Sequence, residues 1–293
     1  MGRAGTFVMQ LDEIKRRTNP FHPSNIMVVT VSLVMVAWCW HSTEMSVSTL
    51  VDGWGNMITY ISGNPEIKDS GFFPPSLHGP RFLKYLLSML ETVQMAFLAL
   101  ILSVLIAFPL SFFASRNTLN IIIPGDRGLA LYLKNGVYIS VRFFANLSRS
   151  INEIIWALLF VSAVGLGPMP GILALGIHTS GVLIKLFSEG IETAQQEPID
   201  ALTATGAGFI KVICYAVVPQ ITPFFVSMGL YRLESDVRSA TILGFTGAGG
   251  IGCFLFDKLR SYENHDVTTI LIIIVITVAL IDRLSAVIRT RYT

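Results

Sequence analysis

The sequence predicts an all-α, polytopic integral membrane protein with about six transmembrane helices. Three observations carry this. Of 293 residues, 52% are hydrophobic and only 14% charged, too little polar surface for a soluble globule of this length. Mean hydropathy is +0.62. The apolar residues gather into runs long enough to cross a bilayer, separated by short polar stretches that must emerge from it.

Residues 1–25 form a polar tail with Lys15, Arg16 and Arg17 directly before the first apolar run. By the positive-inside rule they set the N-terminus in the cytoplasm. A cleavable signal is not expected, because the first run begins near Ile26 and no small-residue pattern closes it. The expected spans are residues 26–45, 86–114, 141–164, 169–187, 212–233 and 267–288. An even count puts both termini on one side, and Arg283, Arg289 and Arg291 agree with a cytoplasmic C-terminus. The loop with Arg116, Arg127 and Lys134 then lies inside, as does the stretch 189–211. Lys68, Arg81, Lys84, Lys258 and Arg260 fall in external segments, so the charge bias is modest. The organisation is thus a tail (1–25), a first span with its external loop (26–85) and a core (86–293).

Within the external loop, Gly53, Gly55, Gly63, Pro65 and the FFPP run at 72–75 favour turns over regular structure. An apolar FFPP suits the membrane interface or a docked partner. Pro109, Pro219 and Pro223 stand inside spans, where neighbours can satisfy the carbonyls they free. Cys39, Cys214 and Cys253 are far apart, without metal-ligand spacing, and read as apolar filler. A net charge of +2, dispersed along the chain, does not support nucleic-acid binding.

Charges inside apolar spans cost roughly 3 kcal/mol or more, so they face a protein interior or a water-filled path. Arg149 and Glu153 stand four apart with Asn152 beside them. Arg232, Glu234, Ser235, Asp236 and Arg238 crowd the outer end of the fifth span, again with i, i+4 spacing between Arg232 and Asp236 and between Glu234 and Arg238. Two readings stay open: the guanidinium groups line an anion path, or the pairs only pin helices together. His178, in the fourth span with Thr179, reads as a packing residue. GAGGIG at 247–252 matches the dinucleotide pattern G-x-G-x-x-G, but lacks its strand and helix, and reads as a tight turn. No G-x-x-x-x-G-K-[ST] occurs, so any ATP is held on another subunit.

The most telling stretch is 189–220. Pro198 suits a first helical turn and biases Glu197 away from helical angles, so a helix should start there. Gly206 and Gly208 should stop it. Ile199, Ala201, Leu202 and Ala204 form a small apolar patch beside Asp200, too short to stabilise itself and shaped to seat in a partner's groove.

Asp200-Ala201-Leu202, three residues, Gly206, nine residues, then Ala216-Val217-Val218-Pro219 resembles the coupling loop of bacterial ABC importer permeases, written EAA, three residues, G, nine residues, I-x-L-P. The letters differ at Asp200, Leu202, Ala216 and Val218; the spacing is intact. The stretches 91–117, 148–168, 177–192 and 230–252 resemble the permeases of phosphonate-class importers in particular. The resemblance implies a type I permease fold, present as a homodimer in the bacterial inner membrane, with surrounding lipid. It also implies a cytoplasmic ABC ATPase dimer carrying ATP and magnesium, an external substrate-binding protein, and no cofactor, metal or catalytic residue in this chain. Glu197, Pro198, Asp200, Ala201, Leu202 and Gly206 would contact the ATPase, and Arg232 to Arg238 would belong to the translocation route, with Arg149, Asn152, Glu153 and His178. Phosphonate, phosphate, phosphite and hypophosphite all fit such a route. The competing readings are an importer of another substrate class, a channel or secondary transporter, and a membrane enzyme with Arg149, His178 and Arg238 clamping a lipid phosphate.

Overall fold

In a bilayer the backbone must satisfy itself, and the apolar runs do so as helices. The computed structural model describes residues 23–63, 71–76, 79–123, 125 and 128–292, and among them every regular element is helical. Residues 1–22 of the expected tail, with Lys15, Arg16 and Arg17, lie outside the described residues, as do Pro65, Lys68 and Arg127. The chain divides into two units, one ending at Thr59 and one beginning at Tyr60.

In the first unit, α1 (Pro23–Ser42) exposes Met27, Leu33, Met35 and Trp38, the outward apolar surface that a span among lipids needs. A second helix, α2 (Val47–Ser62), occupies ground expected to be turns. Its Val47, Leu50, Val51, Trp54, Ile58 and Ile61 recur at helical spacing, and that period outweighs the glycines, whose positions meet no neighbour.

The second unit holds α3 (Gly79–Phe113), α4 (Arg116–Ile122), α5 (Leu129–Ser150), α6 (Glu153–Val164) and α7 (Pro168–Glu192). It continues with α8 (Gln196–Ala204), α9 (Phe209–Val212), α10 (Val218–Leu243), α11 (Ile251–Arg260) and α12 (Asn264–Tyr292). Among the described residues of both units, five helical stretches, α1 included, are long and apolar enough to span a membrane, and a sixth arises if α5 and α6, bent by 89° at their junction, count as one. The expected third span is therefore not one rod. Pro109 sits inside α3 without ending it. A π-helical turn, Ile213–Val217, precedes α10 and Pro219, a local rewinding that accommodates a residue with no N–H to donate. α10 runs ten residues past the expected limit at Leu233, because the charges that argued for an end there find partners.

α7 is the central rod, packed against α3, α5, α6 and α10. Small residues permit the closeness, as membrane helices require. A Cβ at Gly181 would stand 2.7 Å from the Ala145 carbonyl and 3.0 Å from the Arg149 nitrogen, so α5 and α7 meet backbone to backbone there. The core on the other side of α7 joins Met95, Ala96, Ala99, Leu175, Val237, Ala240 and Ile270. GAGGIG makes the tight turn its glycines suggested, with Gly247, Gly249 and Gly250 all at positive φ.

At one end of the unit Asp266 gathers Ser76, the Tyr85 hydroxyl (2.9 Å) and Arg81 (3.4 Å). Thr268 donates to the Phe72 carbonyl (2.7 Å), so α12 holds the FFPP segment, where Phe73 stays exposed. Cys39 and Cys214 are exposed in the single chain and only Cys253 is partly covered.

Candidate functional site

The corner between α5 and α6 sets the site. Ile151 and Asn152 are extended, and Asn152 Oδ1 accepts the Ile154 N–H at 2.9 Å, a side-chain cap that starts α6. Trp156 Nε1 braces the corner by donating to the Ser148 carbonyl at 3.2 Å. The i, i+4 relation between Arg149 and Glu153 is thereby broken, and that expected pair does not form. Arg149 instead donates from Nε and Nη2 to Asn146 Oδ1 (3.1 and 2.9 Å).

Glu153, redirected by the corner, reaches α7 and α10. Its Oε1 accepts from Ser239 at 2.8 Å, and its Oε2 lies 3.7 Å from His178 Nε2. His178 Nδ1 is 2.9 Å from the Ile151 carbonyl; a carbonyl only accepts, so Nδ1 carries the proton. His178 thus packs and braces the corner. One residue on, Thr179 donates to Asp236 Oδ1 at 2.8 Å, and Arg232 Nη2 donates to the same oxygen (3.1 Å) and to the Thr179 hydroxyl (3.0 Å). The expected Arg232–Asp236 pair forms, fully buried at the acid. These residues lie near the middle of α7 and α10, inside the bundle rather than at an outer end.

The expected Glu234–Arg238 pair does not form. Each side chain finds its partner on α12: Glu234 accepts from Arg289 at 2.8 Å and Arg238 donates to Asp282 at 3.2 Å. A facing helix offers complementary charge without bending a side chain along its own axis. Ser235 is half-buried on α10. Arg149, His178 and Arg238 engage partners on different elements and do not converge on one clamp. Among the described residues no three His, Cys, Asp or Glu side chains are placed to hold a metal.

Beyond α7 the chain makes α8. It begins at Gln196, two residues before Pro198; Pro198 occupies the first turn, where a missing N–H costs nothing, and Glu197 is helical despite preceding it. Gly206, at φ +76, ends it as expected. The apolar patch is not all outward. Ile199 is buried and Leu202 partly so, packed with Phe112, Ile191, Val212, Val217 and Ile221. Glu197, Pro198, Asp200, Ala201, Ala204 and Gly206 face outward. Gln220 ties the base: its Oε1 accepts from Gln195 N at 2.9 Å and its Nε2 donates to Ala216 O at 2.6 Å.

Sequence reasoning passed over Arg142 and Lys185. Arg142 donates to Glu192 (3.3 Å) and to the Ala114 carbonyl (3.2 Å), and Lys185 lies 3.7 Å from Glu189. The signal was present, since Arg142, Asn146 and Arg149 recur on one face of α5 at helical spacing.

The family described as binding-protein-dependent transport system inner membrane component matches residues 127–292. The chain is 33% identical to the phosphite transport system permease protein PtxC of Stutzerimonas stutzeri over 266 residues, 91% of this chain and 88% of that one. It is 32% identical over 256 residues to the phosphate-import permease protein PhnE of Mycolicibacterium smegmatis, covering 87% of this chain and 43% of that one. The fold is similar to a chain of the inward-facing MetNI methionine ABC transporter, with a TM-score of 0.63 at 22% identity, over 74% of this chain and all of that one. This chain belongs to the binding-protein-dependent inner membrane components: it is a multi-pass permease subunit of an ABC importer, not an enzyme, and works with an ATPase and a substrate-binding protein.

Proposed function

We propose that the permease carries a phosphorus oxyanion, of the phosphite, phosphate or phosphonate kind, inward across the inner membrane. It does so as a homodimer set in lipid, with both termini and α8 on the cytoplasmic side, and ATP with magnesium is held by the ATPase dimer. α8 is the observation that carries the mechanical part. Its inner face is locked by Ile199 and Gln220 to α10 and to the end of α7, while Glu197, Pro198, Asp200, Ala201 and Gly206 are free to meet a partner. A push on that face moves two long helices together, and those helices hold Thr179, Arg232 and Asp236. The substrate class is supported by the printed names of relatives matched along most of this chain. Arg149, Asn152, Glu153, His178, Arg232, Glu234, Ser235, Asp236 and Arg238 border the route in this reading, the ion-paired members holding its walls.

The test is reconstitution in proteoliposomes with the ATPase and the binding protein, following ATP-driven uptake of phosphite, phosphate and methylphosphonate. Uptake of at least one is expected; none carried by an assembled, ATP-hydrolysing complex would overturn the substrate class. In the same assay Gly206→Trp, strained at positive φ and bulky on the docking face, should lower uptake more than tenfold. Wild-type uptake by that variant would count against α8 as the coupling element.

A further inference from the structure

Below the point where Gly181 presses α5 against α7, the two helices part. Between them lies a pocket of about 240 Å³, open on one side and lined by Arg142, Asn146 and Arg149 from α5 and by Ile184, Lys185 and Ser188 from α7. Three cations reach its walls and no carboxylate does. Two of them are already held from the rim, Arg142 by Glu192 and Lys185 by Glu189. Arg149 is not: among the described residues its guanidinium bonds only the neutral Asn146. Arg149 stands within an apolar span, where an uncompensated charge is costly and marks a water-filled path or a ligand.

We propose that this cavity is a binding site for a small tetrahedral oxyanion in transit, with Arg149 and Lys185 as its principal ligands and Asn146 orienting the Arg149 fork. The inference rests on the oxyanion reading above and deepens it by naming the residues. A planar fork opposite an ammonium suits the several acceptor oxygens of a phosphorus oxyanion. The walls attract the anion without trapping it, since Glu192 and Glu189 at the rim moderate two of the three charges. The place also fits passage. Along α7 the buried Thr179 network comes first, then the Gly181 contact, then this cavity, and then Glu192 and α8, so the cavity lies on the α8 side of the narrowest α5–α7 approach.

The experiment uses the purified permease–ATPase complex, with phosphite, phosphate and methylphosphonate as probes, and measures equilibrium binding beside uptake in proteoliposomes. Asn146→Asp puts a carboxylate of the same shape against Arg149. It should weaken binding of the transported anion at least tenfold at an unchanged yield of complex. Lys185→Gln should do likewise, and Arg149→Lys, which keeps the charge but loses the planar fork, should weaken binding less than Asn146→Asp does. Asn146→Asp decides the matter where Lys185→Gln disturbs assembly, because it changes charge and not volume. Wild-type binding by Asn146→Asp overturns the site while leaving the importer reading intact; failure of the wild type to carry any of the three anions sinks the reading itself. A lipid headgroup offers the same phosphate chemistry. Binding that survives in phosphatidylglycerol nanodiscs supports a dissolved anion, and binding seen in detergent but abolished there assigns the cavity to lipid and overturns the proposal.

Discussion

Asp236 is the most demanding residue of the interior. It is fully buried; one carboxylate oxygen receives Thr179 and Arg232, and the other, with Arg232 Nε, has no hydrogen-bond partner among the described residues. A buried ion pair is held at a desolvation cost, and removing one partner leaves the other charge stranded, typically at about 3–5 kcal/mol. Arg232→Ala should therefore destabilise more than Thr179→Val, which removes the hydroxyl's bonds to Asp236 and Arg232 but leaves the ion pair itself in place. Thermal unfolding of the purified complex would check the order; equal shifts would mean that the guanidinium does not neutralise Asp236. The pair itself was readable from its i, i+4 spacing. Thr179 was not, because a hydroxyl in an apolar run carries no sign of which helix it faces.

Among elements, the α5–α6 corner shows where sequence reading stops. No proline interrupts residues 141 to 164, and the polar run SRSINE at 148–153 reads equally well as charges carried inside one straight span. The break comes from two residues, Ile151 and Asn152, with the Asn152 cap, the Trp156 brace and the His178 bond to the Ile151 carbonyl. Only Asn152 followed by Glu153 hinted at a new helix start. Asn152→Ala should cost about 1 kcal/mol, the usual worth of such a cap, visible as a small drop in unfolding temperature. No drop would mean that Trp156 and His178 set the corner unaided. α8 was far more legible, because Pro198 and Gly206 punctuate it directly. Its inward anchoring by Ile199 was hidden, since the faces of a short helix are assigned by what lies behind it.

Across the whole second unit, the sequence showed that charges in spans are expensive, but not who would compensate them. Partners of Glu234 and Arg238 lie on α12, 55 and 44 residues away, and no local spacing predicts such a match. Their placement favours a seam joining α10 to α12, whereas a path-lining role would need the Arg238 guanidinium itself to face the anion. Exchanging the two charges separates these roles. Arg238→Asp alone sets two carboxylates against each other and should reduce both the amount of assembled complex and uptake. Adding Asp282→Arg restores attraction with opposite polarity. For a half-exposed pair the energy involved is small, about 0–1 kcal/mol, so the informative quantity is uptake per assembled complex. Recovery of that ratio in the double variant is expected from a seam. An importer that reassembles yet stays inactive would show that transport needs the positive group at 238, and would make Arg238 a ligand of the anion rather than a brace of the route's wall.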